Sequence, residues 1–425
     1  MIAGGLFLLL VLGVPVGVAF ALIVMAKADA WNIDLLSLAS IPYDTISSFP
    51  LLAIPLFLLG GELMNRGGLI RQLTAVCDLV LKWSTAPLGY VMIAASALMG
   101  AITGSSVATV AAIGGTVGKE MTARGYPVGY TAALNASAGL LGVLIPPSIP
   151  LILYGSIVGV SITQLFTASI GPGVVTLLVF FAVHKLMVGR VLPGGRELQA
   201  AVPVGEPTRS TGNVIVRSVP ALMLPVLVLG GIYSGVFTPT EAAAVAAVYA
   251  LAVSVLGRMT KVGELGGIFG RAAVSSAAIL VIIGFTSIFN RAMVLEQIPQ
   301  SIASYATSLT DSPLVFLLAV NVVLLLIGMF METNAATLLM GPLLAPAAAR
   351  YGIDPVHFAI ILVTNIELGL LTPPMAANLY VAARTIGCNV VALLRYLGPF
   401  LLAALAVQGL ITYVPQLSLW YRFLP

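Results

Sequence analysis

Long apolar runs separated by short polar connectors fill the chain, at about residues 2–26, 49–64, 88–118, 128–160, 164–188, 218–235, 240–257, 272–289, 314–348, 355–384 and 390–414. About twenty apolar residues in a helix span the hydrocarbon of a bilayer, so most of these runs predict transmembrane helices. Four depart from that template. Segments 88–118 and 314–348 would overshoot the bilayer as single straight helices, since each residue rises ~1.5 Å. Each is also interrupted midway by polar residues, Thr103-Gly104-Ser105-Ser106 in one and Glu332-Thr333-Asn334 in the other. Two half-length helices meeting at a polar tip, a re-entrant hairpin, fit better. Segments 128–160 and 355–384 are broken by Pro146-Pro147 and Pro373-Pro374. A proline pair removes two backbone donors and disfavours helix at the residue before it. The carbonyls so freed are tolerated at membrane depth only where protein buries them or they line a cavity. The opening run, 2–26, lacks a basic leading region and is long enough to span, so it reads as a first transmembrane helix rather than a signal peptide.

The interruptions come in pairs, and the sequence around them repeats. Leu141-Gly142-Val143-Leu144-Ile145-Pro146-Pro147 matches Leu368-Gly369-Leu370-Leu371-Thr372-Pro373-Pro374, and the same 227-residue offset carries Gly171-Pro172 onto Gly398-Pro399. With slight slippage, Ser105-Ser106-Val107-Ala108-Thr109 aligns with Thr333-Asn334-Ala335-Ala336-Thr337, and Asn65-Arg66 with Asn290-Arg291. Lysine and arginine, enriched in short cytoplasmic loops, then set the orientation. With the N-terminus inside and each hairpin returning to its own side, the cytoplasmic segments hold 15 of the 19 basic residues, leaving Lys27, Arg291, Arg350 and Arg422 outside. That arrangement makes the two halves opposite in orientation and puts the C-terminus outside. The expected organisation is a first repeat over 1–188, a cytoplasmic linker over 189–217, a connecting helix over 218–235, and a second, inverted repeat over 236–425. The fold class is all-α polytopic membrane protein, two inverted repeats with paired re-entrant hairpins and Pro-Pro-broken helices.

Composition narrows the function classes. Only 8% of the 425 residues are charged, against about 25% in an ordinary globular domain, so the lipid bilayer must solvate most of the outside. The net charge of +4 is small and scattered, which argues against a nucleic-acid partner. Cys77 and Cys388 form no disulfide framework, and His184 and His357 lack acidic or cysteine neighbours at metal-ligand spacing, so both histidines read as structural. Neither a transition-metal site nor a Ser-His-Asp enzyme can be assembled from this inventory, and the linker is too short to be a catalytic domain.

Inverted repeats with paired broken helices are the general signature of secondary transporters, with the site near the membrane midplane. Unwound carbonyls can replace the water shell of Na+, and half-helix N-termini offer N–H groups to an anion. Two quasi-equivalent sodium sites follow. One lies between the tip residues Thr103, Ser105 and Ser106 and the break at Gly142 and Pro146. The other lies between Thr333 and Asn334 and the break at Gly369 and Thr372. Hydroxyls and amides supply hard oxygen without permanent charge, suited to exchangeable binding. The plainer reading, that serine and threonine serve close helix packing, weighs evenly for Thr109 and Thr337. Glu367 is either an ion or proton site or an acceptor that fixes the broken helix. Glu332, at a tip, reads as a residue that faces water. Arg384 is a candidate anion contact or a snorkelling cytoplasmic arginine. Asn135, Ser148, Tyr154, Asn378 and Tyr380 are candidate cavity-lining groups.

Leu-Ile-Pro-Pro-Ser-Ile-Pro at 144–150 with Tyr154-Gly155, and Asn365-Ile366-Glu367-Leu368-Gly369 leading into Thr372-Pro373-Pro374, resemble the large membrane subunit of TRAP transporters, the tripartite ATP-independent periplasmic transporters of the dicarboxylate type. The resemblance spans nearly the whole chain. It implies a Na+-driven importer of organic acids working by an elevator motion in the bacterial inner membrane, with the N-terminus cytoplasmic and the C-terminus periplasmic. It also implies a small four-helix membrane subunit as partner, expected as a separate polypeptide, and a periplasmic solute-binding protein that delivers a C4-dicarboxylate or a sialic or other sugar acid. The family is similar to divalent-anion/Na+ symporters, whose Ser-Asn-Thr tips contact both ion and carboxylate. Ser105, Ser106 and Asn334 would then also touch substrate, with Ser148, Asn378 and Arg384 beside them, although Ser106 stands where those tips carry asparagine. A proton-coupled organic-anion transporter without a binding protein is the alternative.

Overall fold

The computed structural model describes residues 4–5, 8–9, 12–28, 31, 39–66, 68–81, 84, 86–192 and 211–423. The first half contains α1 (Val16–Lys27), α2 (Ala53–Arg66), α3 (Leu69–Leu81), α4 (Pro87–Thr103), α5 (Ser106–Ile113), α6 (Val128–Ala138), α7 (Ile149–Val158) and α8 (Ile162–Val191). After α9 (Thr211–Tyr233) follow α10 (Pro239–Leu256), α11 (Val262–Leu295), α12 (Ile298–Leu309), α13 (Pro313–Phe330), α14 (Thr333–Arg350), α15 (Pro355–Gly369), α16 (Ala377–Ile386) and α17 (Val390–Tyr413). The expected linker 189–217 lies mostly outside the described residues. Where it is described, α8 runs on to Val191 and α9 begins at Thr211.

Each hairpin turn has a local cause. The arm α4 ends where Gly104 takes a left-handed conformation, φ 60°, which costs glycine little. Ser105 then caps α5, its hydroxyl accepting the Ala108 N–H at 3.4 Å. In the second hairpin Met331 and Glu332 are extended, and the Glu332 carboxylate caps α14 by accepting the N–H groups of Asn334 and Ala335 at 2.9 and 3.2 Å. Side-chain caps of this kind satisfy donors that a helix start leaves orphaned. The broken helices separate as the proline pairs demand, α6 from α7 and α15 from α16.

One sequence expectation is revised. The run 2–26 does not continue as a single helix, because α1 starts only at Val16, after a turn at Leu12-Gly13 with Gly13 at φ 79° and with Pro15 as its N-cap. Pro15 has no N–H to give a preceding turn.

The contacts come in twins. α1 packs on α11 as α10 packs on α2; α6 packs on α17 as α8 packs on α15; α7 packs on α14 as α16 packs on α5. A pseudo-twofold exchange of the halves requires this pattern. Among the described residues, five apolar stretches long enough or nearly long enough to cross a bilayer lie between the hairpins, 128–158, 162–191, 218–233, 239–256 and 262–295. An odd number of crossings brings the second hairpin in from the opposite face, so the repeats are inverted.

Burial is concentrated in two apolar clusters. One gathers Phe20, Phe57, Phe289 and Phe358, and the other Tyr130, Phe180, Leu379 and Phe400. In the second cluster buried His184 ties two elements together, with Nδ1 2.6 Å from the Tyr130 hydroxyl and Nε2 3.1 Å from the Ala86 carbonyl. Gly89 makes room for the imidazole, since a Cβ there would overlap the ring.

Beyond α17 the chain turns back across both halves. Trp420 Nε1 donates to the Thr167 carbonyl at 3.1 Å, and Arg422 Nη1 donates to Asp354 Oδ2 at 2.7 Å. Asp354 also caps α15 through the N–H groups of Val356 and His357. Partial burial pushes its carboxyl up, but Arg422 and the two amides outweigh that and hold it below the usual carboxylate range. A carboxyl whose folded pKa is depressed stabilises the fold above its unfolded pKa, ~3.9, and loses that contribution as pH falls through the folded value. Asparagine also caps helices well, so Asp354→Asn isolates the ion pair. The variant is expected to be less stable at pH 7 by about 0.2–1 kcal/mol, the range for a partly exposed pair. Thermal melts of the purified protein should begin to approach wild type as pH drops under ~3.9 and converge only below the depressed folded value of Asp354.

Candidate solute and ion site

Each hairpin turn rests against the break of its own half. The Ile149 N–H, just past Pro146-Pro147, donates to the Gly104 carbonyl at 3.2 Å; the Met375 N–H, just past Pro373-Pro374, donates to the Met329 carbonyl at 3.3 Å. Glycines allow the approach. A Cβ on Gly142 would stand 2.6 Å from Thr109 Oγ1 and 2.9 Å from the Ser105 carbonyl, and one on Gly369 would overlap the backbone of Gly328. Thr103 Oγ1 lies 3.2 Å from Thr109 Oγ1 and donates to the Met99 carbonyl at 3.1 Å. Thr372 donates to the Leu368 carbonyl at 3.0 Å. In the first half the chosen residues Ser105 and Gly142 are thus neighbours, whereas in the second the contacts run from Gly328 and Met329 of the first arm to Gly369 and Met375.

The two tips also meet each other. Ser105, Ser106, Glu332, Thr333, Asn334 and Glu367 line one small cavity of about 40 Å³, with Leu58 of α2 and Ile279 of α11 also in its lining. Glu367 is only 2% exposed and faces Ser106 and Thr333. Two buried oxygens on this wall have no protein partner, Asn334 Oδ1 and Glu367 Oε2. An unsatisfied buried polar group costs about 1–3 kcal/mol, so the set is chemically suited to a cation that would supply the missing contacts.

Other sequence candidates are not among the residues that line this cavity. Ser148 and Asn378 are fully buried with unpartnered polar atoms; Asn378 packs beside Gly139. Arg384 is exposed in the last turn of α16. Tyr154 lines a separate apolar groove with Pro342 and Phe358, and Tyr380 is 53% exposed. Asn135 is held by the Val110 carbonyl at 2.9 Å. Glu332 and Glu367 both line the cavity, so carboxylates join the hydroxyls and amides there. An acidic residue inside a span was the available signal. Leu58 and Ile279 had none, because nothing in a long apolar run marks which residue will face a distant hairpin.

Residues 3–417 match the family described as the tripartite ATP-independent periplasmic transporter, DctM component. The chain belongs to this family. Among DctM relatives, it is 39% identical over 384 residues to the C4-dicarboxylate TRAP transporter large permease protein of Pseudomonas aeruginosa, covering 90% of this chain and 88% of that one. It is 36% identical over 416 residues to the isethionate TRAP transporter permease protein DctMQ of Oleidesulfovibrio alaskensis, covering 97% of this chain but spanning only 65% of that longer protein. The solved YdaH transporter of Alcanivorax borkumensis shares the fold at a TM-score of 0.66 and 16% identity, covering 92% of this DctM chain and 89% of that structure.

Proposed function

We propose that this TRAP large permease couples the uptake of an organic acid anion to Na+, receiving the solute from a periplasmic binding protein and acting with a small four-helix membrane subunit in the bacterial inner membrane. The observation that carries the reading is the convergence of both hairpin tips, with unpartnered oxygens, on one cavity beside two helix breaks. Sodium would be held by Thr103, Ser105 and Ser106 with the break at Gly142 and Pro146, and by Thr333 and Asn334 with the break at Gly369 and Thr372. The start of α5 puts a helix N-terminus beside the cavity, which favours a carboxylate, whereas that of α14 is already occupied by the Glu332 carboxylate. Ser105, Ser106 and Asn334 would contact the solute. The hairpins and broken helices would move together against the arm helices α2 and α11, an elevator motion, because hairpin and break are bonded to each other in each half. C4-dicarboxylate is the first substrate class to test, with sialic or another sugar acid and a sulfonate as the next.

The test is uptake by proteoliposomes holding both membrane subunits, with binding protein outside and Na+ replaced by K+. Uptake is expected to need both Na+ and the binding protein and to rise sigmoidally with sodium, as two sites require. Uptake that persists in K+ would overturn sodium coupling. Buried Glu367 favours one alternative, a proton-coupled transporter, in which an inward proton gradient alone would drive uptake.

A further inference from the structure

A second cavity, of about 120 Å³, lies behind the first hairpin and is lined by Glu62, Asn65, Thr103, Arg271 and Ser275 among others. It sits at the end of the arms where α2 finishes in Arg66 and α11 starts after Lys261, the basic side of the protein. Two features connect it to the central cavity. Leu58 lines both. The first hairpin tip is the partition between them, with Thr103 and Ala108 on one side and Ser105, Ser106 and Val107 on the other. Along α11, Ile279 lines the central cavity while Ser275 and Arg271 line the second. A spacing of four keeps these three on one helix face, so they form a continuous track from the centre to the basic end.

The track ends at an ion pair. Arg271 Nε donates to Glu62 Oε1 at 2.5 Å, joining an arm of the second half to an arm of the first. Arg66 approaches the same carboxylate oxygen at 3.8 Å. Arg271 keeps 46% of its side chain exposed, so its charge is held in place without being covered.

We propose that this cavity is the route by which the organic anion leaves the central site on the basic side of the membrane, with Arg271 as its anion contact and Glu62 as the side chain that screens Arg271 until an anion arrives. Leu58 and the first hairpin tip are the barrier between the two chambers. The ligand class rests on the organic-acid reading above, whereas the path and its charge preference do not.

The experiment measures accessibility rather than transport. Cys77, which is buried, and Cys388 are replaced by serine, and Ser275→Cys or, independently, Ala108→Cys supplies the reporter. Membrane vesicles of each orientation, carrying both membrane subunits, are treated with an anionic sulfonatoethyl or a cationic trimethylammonioethyl methanethiosulfonate. The reporters are expected to react from the face bearing Lys261 only, and the anionic reagent is expected to be favoured. Arg271→Gln should lower the anionic-to-cationic rate ratio roughly tenfold, the equivalent of ~1.4 kcal/mol, while Arg271→Lys stays within a few-fold and Glu62→Gln raises the ratio. Failure of both reporters to react from that face, or a ratio indifferent to Arg271→Gln, overturns the proposal. Labelling needs no sodium, solute or binding protein. Absent organic-acid uptake with intact charge-selective labelling would therefore count against the transport reading and not against the path.

Discussion

Glu367→Gln is expected to lower sodium-driven uptake a hundredfold or more and to raise the sodium concentration for half-maximal rate by at least tenfold. The carboxylate is almost wholly buried, faces Ser106 of one tip and Thr333 of the other, and leaves Oε2 without a protein partner. A full negative charge there would serve a cation bound at either tip. At an effective dielectric near 20, unit charges 4 Å apart attract by ~4 kcal/mol, or nearly three powers of ten at 1.4 kcal/mol per tenfold. Desolvation offsets part of that, hence the lower figure. The isosteric amide separates charge from scaffolding, because glutamine still offers one acceptor to the tip hydroxyls. If Glu367 only holds the broken helix against the hairpins, uptake and sodium dependence in the variant should stay within a few-fold of wild type. Sodium titrations of uptake in proteoliposomes, read beside a thermal melt of the same preparation, decide between the two roles.

Hairpins and breaks were legible in the sequence because their signals are local. A polar tetrad inside an overlong apolar run, or a proline pair at membrane depth, has few structural solutions. The repeat multiplied each signal by two, and alignment of Gly142 with Gly369 marked the two breaks as equivalent positions. What the sequence withheld was the relation between the halves. Glu332 and Glu367 belong to different elements, and only tertiary packing brings them to the wall that Ser105 and Ser106 share. Ser148, Asn378 and Arg384 had the right chemistry near the right break but are not among the residues that line that cavity, although Ile149 and Pro150, next to Ser148, are. The start of α1 at Val16 was signalled by Gly13 and Pro15, yet the uniform hydrophobicity around them masked it.

Gly369→Val is expected to abolish transport, with Gly369→Ala falling between it and wild type. Gly369 ends α15, and its backbone lies against that of Gly328 in the first arm of the second hairpin, so closely that any Cβ would overlap the facing main chain. Main chain cannot rotate aside as a side chain can, so the hairpin itself would have to withdraw. Overpacking of this kind costs typically 1–3 kcal/mol and occasionally more. Here the displacement would also pull Thr333 and Asn334 away from the break at Thr372. The Met375 N–H to Met329 carbonyl bond at 3.3 Å would lengthen with it. Gly328→Ala should act in the same direction, because its Cβ would meet the Ile366 carbonyl. Gly409→Ala is the control, a glycine inside α17 whose added methyl would meet nothing within 4 Å. Transport per inserted molecule, normalised by quantifying the protein in the membrane, separates loss of the site from loss of the protein. Normal sodium dependence in Gly369→Val would mean that the second tip and its break need not touch for ion binding, and the second of the two proposed sodium sites would fall.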